Sequence, residues 1–181
     1  MIRTLVISIS SLFLCLFFTA CVRDTDFDQA EDISLTPIME LDLIYFNLQA
    51  SDFYDTINGT PILTLRDTTE IKFLDDSTLQ ESLKRADFYF KFTNSIPRSF
   101  QVDFEFLSEE NNITYETGTA VEQGEVSTPL ITEFTHIVEG EDISQLTLAN
   151  KVVVSVTIPS SNENLQGTLN MKSKTTYFLE Y

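Results

Sequence analysis

Apolar and polar residues alternate with a period of two over most of the chain after residue 35, and this alternation predicts β-strands. Residues 99–106 are the clearest case, because three phenylalanines and a valine share one face while polar residues share the other. Residues 87–92 place three further phenylalanines on one face. Asn94 and Pro97, which favour turns, lie between the two runs. We therefore predict that residues 86–107 form a hairpin whose six phenylalanines face the core.

Similar runs predict the other strands. Residues 39–46 alternate at first and end in three consecutive apolar residues, which indicates a strand that passes through a β-bulge into a fully covered position. Residues 177–181 are aromatic and are expected to pair in a sheet. The remaining predicted strands are residues 61–65, 69–74, 113–116, 130–138, 151–158, 166–171 and 174–179.

Two short helices are predicted among these strands. Ser77 and Gln80 fit a capping box, and Asp142 is expected to cap the second helix. Eight to ten strands without regularly alternating helices argue against a doubly wound parallel sheet. The predicted fold class is all-β: an immunoglobulin-like antiparallel β-sandwich with one or two short helices, over residues 36–181.

The N-terminal residues have a different pattern. Arg3 precedes a run of almost wholly apolar residues that ends at the small residues Thr19 and Ala20. This arrangement is typical of a secretory signal peptide, which we place at residues 1–20. The apolar run falls just short of the roughly 20 residues that span a bilayer, so an uncleaved signal anchor is the alternative.

Phe18, Thr19 and Ala20 directly precede Cys21, and this tetrapeptide resembles the bacterial lipobox, with Phe18 in place of the usual Leu. The resemblance implies cleavage by signal peptidase II and lipidation of Cys21 by a diacylglyceryl group and a further fatty acid such as palmitate. Several acyl chains anchor durably, because each buried methylene contributes about 0.8 kcal/mol. The alternative is cleavage by signal peptidase I, which leaves Cys21 unmodified.

Residues 21–35 follow as an acidic segment with little apolar surface, and such composition is typical of a flexible tether. Residues 24–28, Asp-Thr-Asp-Phe-Asp, resemble the acidic export tag of surface lipoproteins from Bacteroidota of flavobacterial type. The resemblance implies an outer-membrane, lipid-anchored protein at the cell surface. A plain linker with the domain on the periplasmic face is the alternative.

Charge and cysteine content exclude several classes of protein. The formal net charge of −17 opposes binding to nucleic acid. Of the two cysteines, Cys15 lies in the predicted signal peptide, and the lipobox resemblance implies that Cys21 carries lipid. The mature domain therefore has no thiol for a disulfide, a zinc site or a nucleophile.

Catalytic residues are not apparent. His136 is the single histidine, and we expect it to be a half-buried strand residue that shares a face with Thr132 and Phe134. Acidic pairs such as those of a glycosidase occur by chance in a chain with 28 acids. We expect no enzymatic activity and no cofactor. The acidic pairs are Asp75 with Asp76, Glu109 with Glu110, and Glu139 or Glu141 with Asp142.

Two groups of residues remain as binding candidates. Glu109, Glu110, Asn111 and Asn112 supply oxygens of the kind that Ca²⁺ prefers, although a solvated loop is the simpler interpretation. Aromatic residues in strands usually belong to a core, but clustered tyrosines would form a surface for sugar or protein. The candidates for such a surface are Tyr45, Tyr54, Tyr89 and Tyr115.

These observations lead to a functional hypothesis. We expect a lipid-anchored, non-catalytic protein of the cell envelope with a structural or protein-interaction role in an outer-membrane or surface assembly. Its partners would be the membrane, through the lipid anchor, and an envelope protein or a glycan. A carbohydrate-binding surface lipoprotein is the alternative, and a hydrolase is the third hypothesis.

Overall fold

The computed structural model describes residues 34–181. The predicted signal peptide, Cys21 and most of the predicted tether lie outside the described residues. The described strands are β1 (Ile38–Gln49), β2 (Tyr54–Asp55), β3 (Thr60–Pro61), β4 (Thr64–Glu70), β5 (Leu83–Asn94), β6 (Phe100–Leu107), β7 (Ile113–Val121), β8 (Leu130–Glu139), β9 (Lys151–Thr157) and β10 (Thr168–Leu179). The helices are α1 (Ser77–Ser82) and α2 (Glu141–Leu146), with 3-10 turns at Ala50–Phe53 and Lys72–Asp75.

Eight long strands form two four-stranded antiparallel sheets. Sheet I has the order β1-β10-β5-β8, and sheet II has the order β4-β9-β6-β7. The short strands β2 and β3 pair only with each other. The predicted antiparallel β-sandwich is confirmed, and its core lies between the inner faces of the two sheets.

The strand order is that of a jelly roll, and it corrects the finer expectation of an immunoglobulin-like arrangement. Among the long strands, β6 and β7 are the only consecutive pair that are neighbours in one sheet, whereas every other connection crosses between the sheets. In an immunoglobulin domain the first two strands lie side by side in the same sheet. Two interlocked Greek keys of this kind define the jelly roll.

The predicted hairpin over residues 86–107 is wrong, because β5 belongs to sheet I and β6 belongs to sheet II. The phenylalanines of the two strands meet face to face across the sandwich, with ring centroids 4.2 Å apart for Phe90 and Phe104. Their predicted inward orientation is confirmed by exposures of 0–2%. These buried residues are Phe88, Phe90, Phe92, Phe100, Phe104 and Phe106.

The loop between β5 and β6 shows how the chain crosses. Asn94 is fully buried; its Nδ2 donates to the carbonyls of Arg98 and Glu122, and its Oδ1 accepts from the backbone of Ile96. A Cβ at Gly124 would lie 1.8 Å from the Asn94 carbonyl oxygen, so only glycine fits there. The loop is thus held by distant parts of the chain.

Several predicted boundaries are corrected. β4 runs without interruption through the predicted break at residues 66–68, and β10 joins two predicted strands, because ladders with β9 and β5 continue across both places. α1 is capped by Asp76, whose carboxylate accepts from two backbone amides, and not by Ser77. Gly140, with φ of +65°, precedes α2 in place of the predicted cap Asp142.

The C-terminal residues pair in sheet I, as predicted. Tyr181 exchanges two backbone hydrogen bonds with Leu35. Tyr177 is buried and stacks on Phe73 with ring centroids 4.3 Å apart. Burial raises the pKa of the Tyr177 hydroxyl to about 12.

Candidate functional site

The candidate site is an apolar cleft of about 450 Å³ between β1 and β4, which are outer strands of the two sheets. We call it the edge cleft. Its apolar and aromatic lining consists of Leu43, Ile44, Tyr45, Phe46, Leu48, Leu65, Val154 and Val156. A cleft of this size and apolarity is typical of binding sites in proteins.

The inner face of β4 supplies one wall of the edge cleft. Leu65, Asp67 and Thr69 pair with residues of β9 that are buried in the core, so these three side chains point toward the space between the sheets. Leu65 and Thr69 are only half-buried, and Asp67 is exposed. The sandwich is therefore open at this edge.

A β-bulge in β1 supplies the opposite wall. The register with β10 shifts by one residue between Asp42 and Tyr45. The Ser173 hydroxyl holds the bulge, because it accepts from the amide of Ile44 at 3.0 Å and donates to the carbonyl of Ile44 at 2.7 Å. The extra residue lets Leu43 and Ile44 both line the edge cleft.

The predicted bulge in residues 39–46 is confirmed, but the predicted full coverage is wrong. Tyr45 is 85% exposed on the outer face, opposite Lys172 of β10. Leu43 and Phe46 are half-buried. Ile44 and Phe46 line the edge cleft, so this part of the apolar run lies at an open edge of the sandwich and not in its closed core.

Charged groups lie at the rim of the edge cleft. Asp52 accepts from the amide of Gln49, and Asp67 accepts from the amide of Thr68. Arg66, which also lines the cleft, forms an ion pair with Glu105 on sheet II. The rim therefore has two carboxylates, and the guanidinium of Arg66 is already paired with the carboxylate of Glu105.

A second depression of about 510 Å³ lies over sheet II and is polar and acidic. Glu105 is directly opposite Glu116, and this like-charge pair is offset by Arg66. A Cβ at Gly118 would lie 2.5 Å from the carboxylate of Asp103, so glycine there makes room for that side chain. These contacts indicate that Glu105, Glu116 and Asp103 are structural residues of sheet II.

His136 is half-buried in β8 on the same face as Phe134 and Thr132, as predicted. Its Nε2 lies 2.5 Å from the hydroxyl of Tyr115 in β7, so the pair bridges the two sheets. Burial lowers the pKa of His136, and it raises the pKa of Tyr115. β8 is at the opposite edge of sheet I from β1 and the edge cleft.

The acidic pairs singled out in the sequence are placed at helix starts, loops and strand ends. Asp76 caps α1, and Glu141 and Asp142 occupy the first turn of α2, where carboxylates complement the helix dipole. Glu139 ends β8, opposite Arg85. Glu109 and Glu110 lie in the loop between β6 and β7.

The residues proposed to bind calcium, Glu109–Asn112, lie in a tight loop between β6 and β7. Ser108 donates its amide to the carbonyl of Asn112, and its hydroxyl donates to Glu110, which lowers the pKa of that carboxyl group. Asn111 adopts a positive φ of 68°, which asparagine tolerates. In the part of the chain that the structure describes, no three His, Cys, Asp or Glu side chains come together around a metal position. Calcium binding by Glu109–Asn112 stays a prediction.

The four tyrosines do not form one surface. Tyr45 and Tyr89 lie on the outer face of sheet I, and the ammonium of Lys174 lies 5.9 Å from the ring centre of Tyr89. Tyr115 points inward toward His136, and Tyr54 lies in the separate strand β2. A platform of four clustered tyrosines is therefore not present.

Cys21, the predicted lipidation site, lies outside the described residues. Among residues 34–181, no helix has both the length and the apolar content that a membrane crossing requires.

Comparisons with known proteins give distant structural likeness. No family model matches the chain, and no curated protein matches it significantly in sequence. A protein of Parabacteroides distasonis described as secreted matches with a TM-score of 0.48 and 13% identity, over 63% of this chain and 37% of that one. The VP2 subviral particle of infectious bursal disease virus matches with a TM-score of 0.47 and 7% identity, over 79% of this chain and 32% of that one. This chain thus spans roughly a third of the length of these structures.

Proposed function

We propose that this protein is a lipid-anchored, non-catalytic component of the cell envelope whose β-sandwich binds a segment of another envelope protein in the edge cleft. The edge cleft is the observation that carries the proposal. In the centre of the sandwich the inner faces are covered, with exposures near zero for the phenylalanines of β5 and β6. At the cleft, Leu43, Phe46 and Leu65 stay partly open.

An open apolar cleft favours binding over catalysis. Burial of apolar surface contributes about 25 cal/mol per Å², so a partner that covers the cleft gains stability from groups that water now contacts. Catalysis has less support, because the single imidazole, His136, lies at the opposite edge of sheet I. The carboxylates at the cleft, Asp52 and Asp67, accept hydrogen bonds from neighbouring backbone amides.

Anchoring is tested at Cys21. In cells grown with labelled palmitate, the Cys21→Ser variant is expected to lose the label and to move from the membrane to the soluble fraction. A Cys15→Ser variant is the matched control, since Cys15 lies inside the predicted signal peptide. Equal labelling of the Cys21 variant and the native chain contradicts the anchor.

Binding is tested by site-specific photo-crosslinking in intact cells. A photoreactive residue at Leu43 is expected to capture one envelope protein, and a Leu65→Trp substitution, which fills the cleft, is expected to abolish the crosslink. The control places the same photoreactive residue at Ile131, which is 54% exposed on the opposite outer strand, β8. Absence of a crosslink from Leu43, or an identical product from Ile131, contradicts the proposal.

Carbohydrate binding is the second candidate, and the exposure of Tyr45 favours it. An aromatic ring that is 85% exposed on a strand is available for stacking on a sugar. Affinity electrophoresis in gels that contain envelope polysaccharide is expected to show retardation that a Tyr45→Ala variant loses. Unchanged migration of the native protein in every glycan gel contradicts this candidate.

A further inference from the structure

The free edge of β1 presents backbone groups that no described strand pairs. Leu35 and Tyr181 exchange both of their hydrogen bonds, and Leu179 donates to the carbonyl of Pro37. Antiparallel strands alternate between residues that bond to the neighbour and residues that point away. Ile38 and Glu40 therefore direct their N–H and C=O groups away from β10, toward the free edge.

The bulge changes which residues point outward, but it does not close the edge. The amide of Ala50 donates to the carbonyl of Gly167, which fixes the alternation beyond the bulge. Tyr45 and Asn47 accordingly point away from β10 on this side. Both halves of a 12-residue outer strand thus offer hydrogen bonds to an added strand, directly beside the edge cleft.

The charges around this edge are mainly negative. Glu40 and Asp42 lie on the outer face of β1, and Asp52 and Asp67 lie at the rim of the cleft. Two of the nearby cations have partners, since Lys174 pairs with Glu40 at 2.7 Å and the guanidinium at the rim pairs within sheet II. Lys172, opposite Tyr45, is the third nearby cation, so the four carboxylates still outnumber the positive groups. An added strand with basic residues would therefore meet complementary charge.

The same charges disfavour a second copy of this chain as the occupant. Antiparallel pairing of two β1 strands would bring the acidic residues of one copy, Glu40 and Asp42, close to the same residues of the other, and like charges across strands are destabilising. The net charge of −17 adds repulsion between whole molecules. Charge thus selects a partner of different composition.

We propose that the occupant of the edge cleft is an extended basic segment of another protein that adds to the free edge of β1 as a strand. Its apolar side chains enter the cleft, and its Lys or Arg side chains lie opposite Glu40 and Asp42. A strand of about ten residues, at about 3.4 Å per residue, covers both halves of β1. This inference rests on the proposed function and specifies the chemistry of the partner.

The test uses the full chain in phosphatidylcholine nanodiscs, free of detergent, and a fluorescent peptide of alternating Lys and Val. Fluorescence anisotropy is expected to show binding that weakens with added salt. A peptide of alternating Glu and Val is expected not to bind. Methylation of alternate backbone nitrogens of the Lys–Val peptide is expected to weaken binding by about tenfold or more, because it removes the interstrand hydrogen bonds.

Matched charge reversals test the role of the acidic edge. The double variant Glu40→Lys, Asp42→Lys is expected to bind the Lys–Val peptide about tenfold more weakly, since two attractions become repulsions. The control, Glu122→Lys with Glu125→Lys, makes the same change in net charge at exposed positions between β7 and β8. It is expected to change the affinity by less than about twofold.

Several results would overturn this inference. Three concern the peptides and variants: equal binding of the Glu–Val peptide, unchanged binding after backbone methylation, or equal effects of the two double variants. Two concern a different occupant of the edge: dimerisation of the chain through β1, or peptide binding only after deletion of residues 22–33. The last result would mean that this chain's own N-terminal segment occupies the edge. If the crosslink from Leu43 persists while the peptide results fail, the proposed function stands and only the strand-addition inference falls.

Discussion

The bulge in β1 leads to the most specific prediction, the effect of Ser173→Ala. Ser173 is 8% exposed, and its hydroxyl makes two hydrogen bonds with one residue: it accepts from the amide of Ile44 and donates to the carbonyl of Ile44. Alanine removes both bonds and leaves two backbone groups without their partner. The substitution should therefore loosen the wall of the edge cleft without altering its apolar lining.

The magnitude follows from these two bonds. A hydrogen bond contributes about 0.5–1.5 kcal/mol net, and a buried group left without a partner costs about 1–3 kcal/mol. Ile44 is half-buried, so water replaces part of the lost bonding. We expect Ser173→Ala to lower the free energy of unfolding by about 1–2 kcal/mol.

Urea unfolding of the full chain measures the global effect, and hydrogen exchange measures the local one. The amide of Ile44 is expected to exchange at least about tenfold faster in the variant, whereas the amides of β5 keep their order of protection. Ser127→Ala is the control, because Ser127 is exposed in the loop between β7 and β8. If Ser173→Ala changes neither stability nor Ile44 exchange, the hydroxyl does not hold the bulge.

Three further predictions concern the core and its titrating groups. A double-mutant cycle of Phe90→Leu and Phe104→Leu is expected to give a coupling energy of about 0.5–1.5 kcal/mol in urea unfolding, and additive effects would contradict contact across the sandwich. Burial disfavours the ionised form of Tyr177 and raises its pKa to about 12, so the fold loses stability as pH rises from about 10 to about 12. Relative to Tyr177→Phe, the native chain should lose about 2–3 kcal/mol of unfolding free energy between those pH values, and parallel curves would refute this. The pKa of His136 is lowered by burial, so the unfolded chain takes up the proton first as pH falls below 6.5. Stability should fall in that range for the native chain and less for His136→Gln, and equal slopes for the two proteins would contradict it.

The inward phenylalanines of β5 and β6 were predictable from the sequence, and the sheet to which each strand belongs was not. Alternation with period two is local and marks which side chains share a face. Whether residues 94–98 return the chain to the same sheet or carry it to the other depends on distant contacts. Those contacts include the fit of Gly124 against the Asn94 carbonyl and the bond from Asn94 to Glu122.

Some features of the candidate site were likewise predictable from the sequence, and others were not. The bulge in residues 39–46 was visible as an apolar run that breaks the alternation, and the half-buried environment of His136 followed from its neighbours. The edge cleft was not visible, because it exists only where β1 and β4 become outer strands on one side of the sandwich. Strand order is set by pairing between residues far apart in the chain.

By itself, the sequence determined the all-β class, the inward faces of the strands, the acidity of the chain and the N-terminal pattern that ends at Cys21. Each of these follows from composition or from a period of a few residues. Only the tertiary structure decided the jelly-roll order and the free edge of β1. The physical reason is that alternation marks which face of a strand is buried but not which strand lies beside it, so strand order is selected by how the whole chain closes its core.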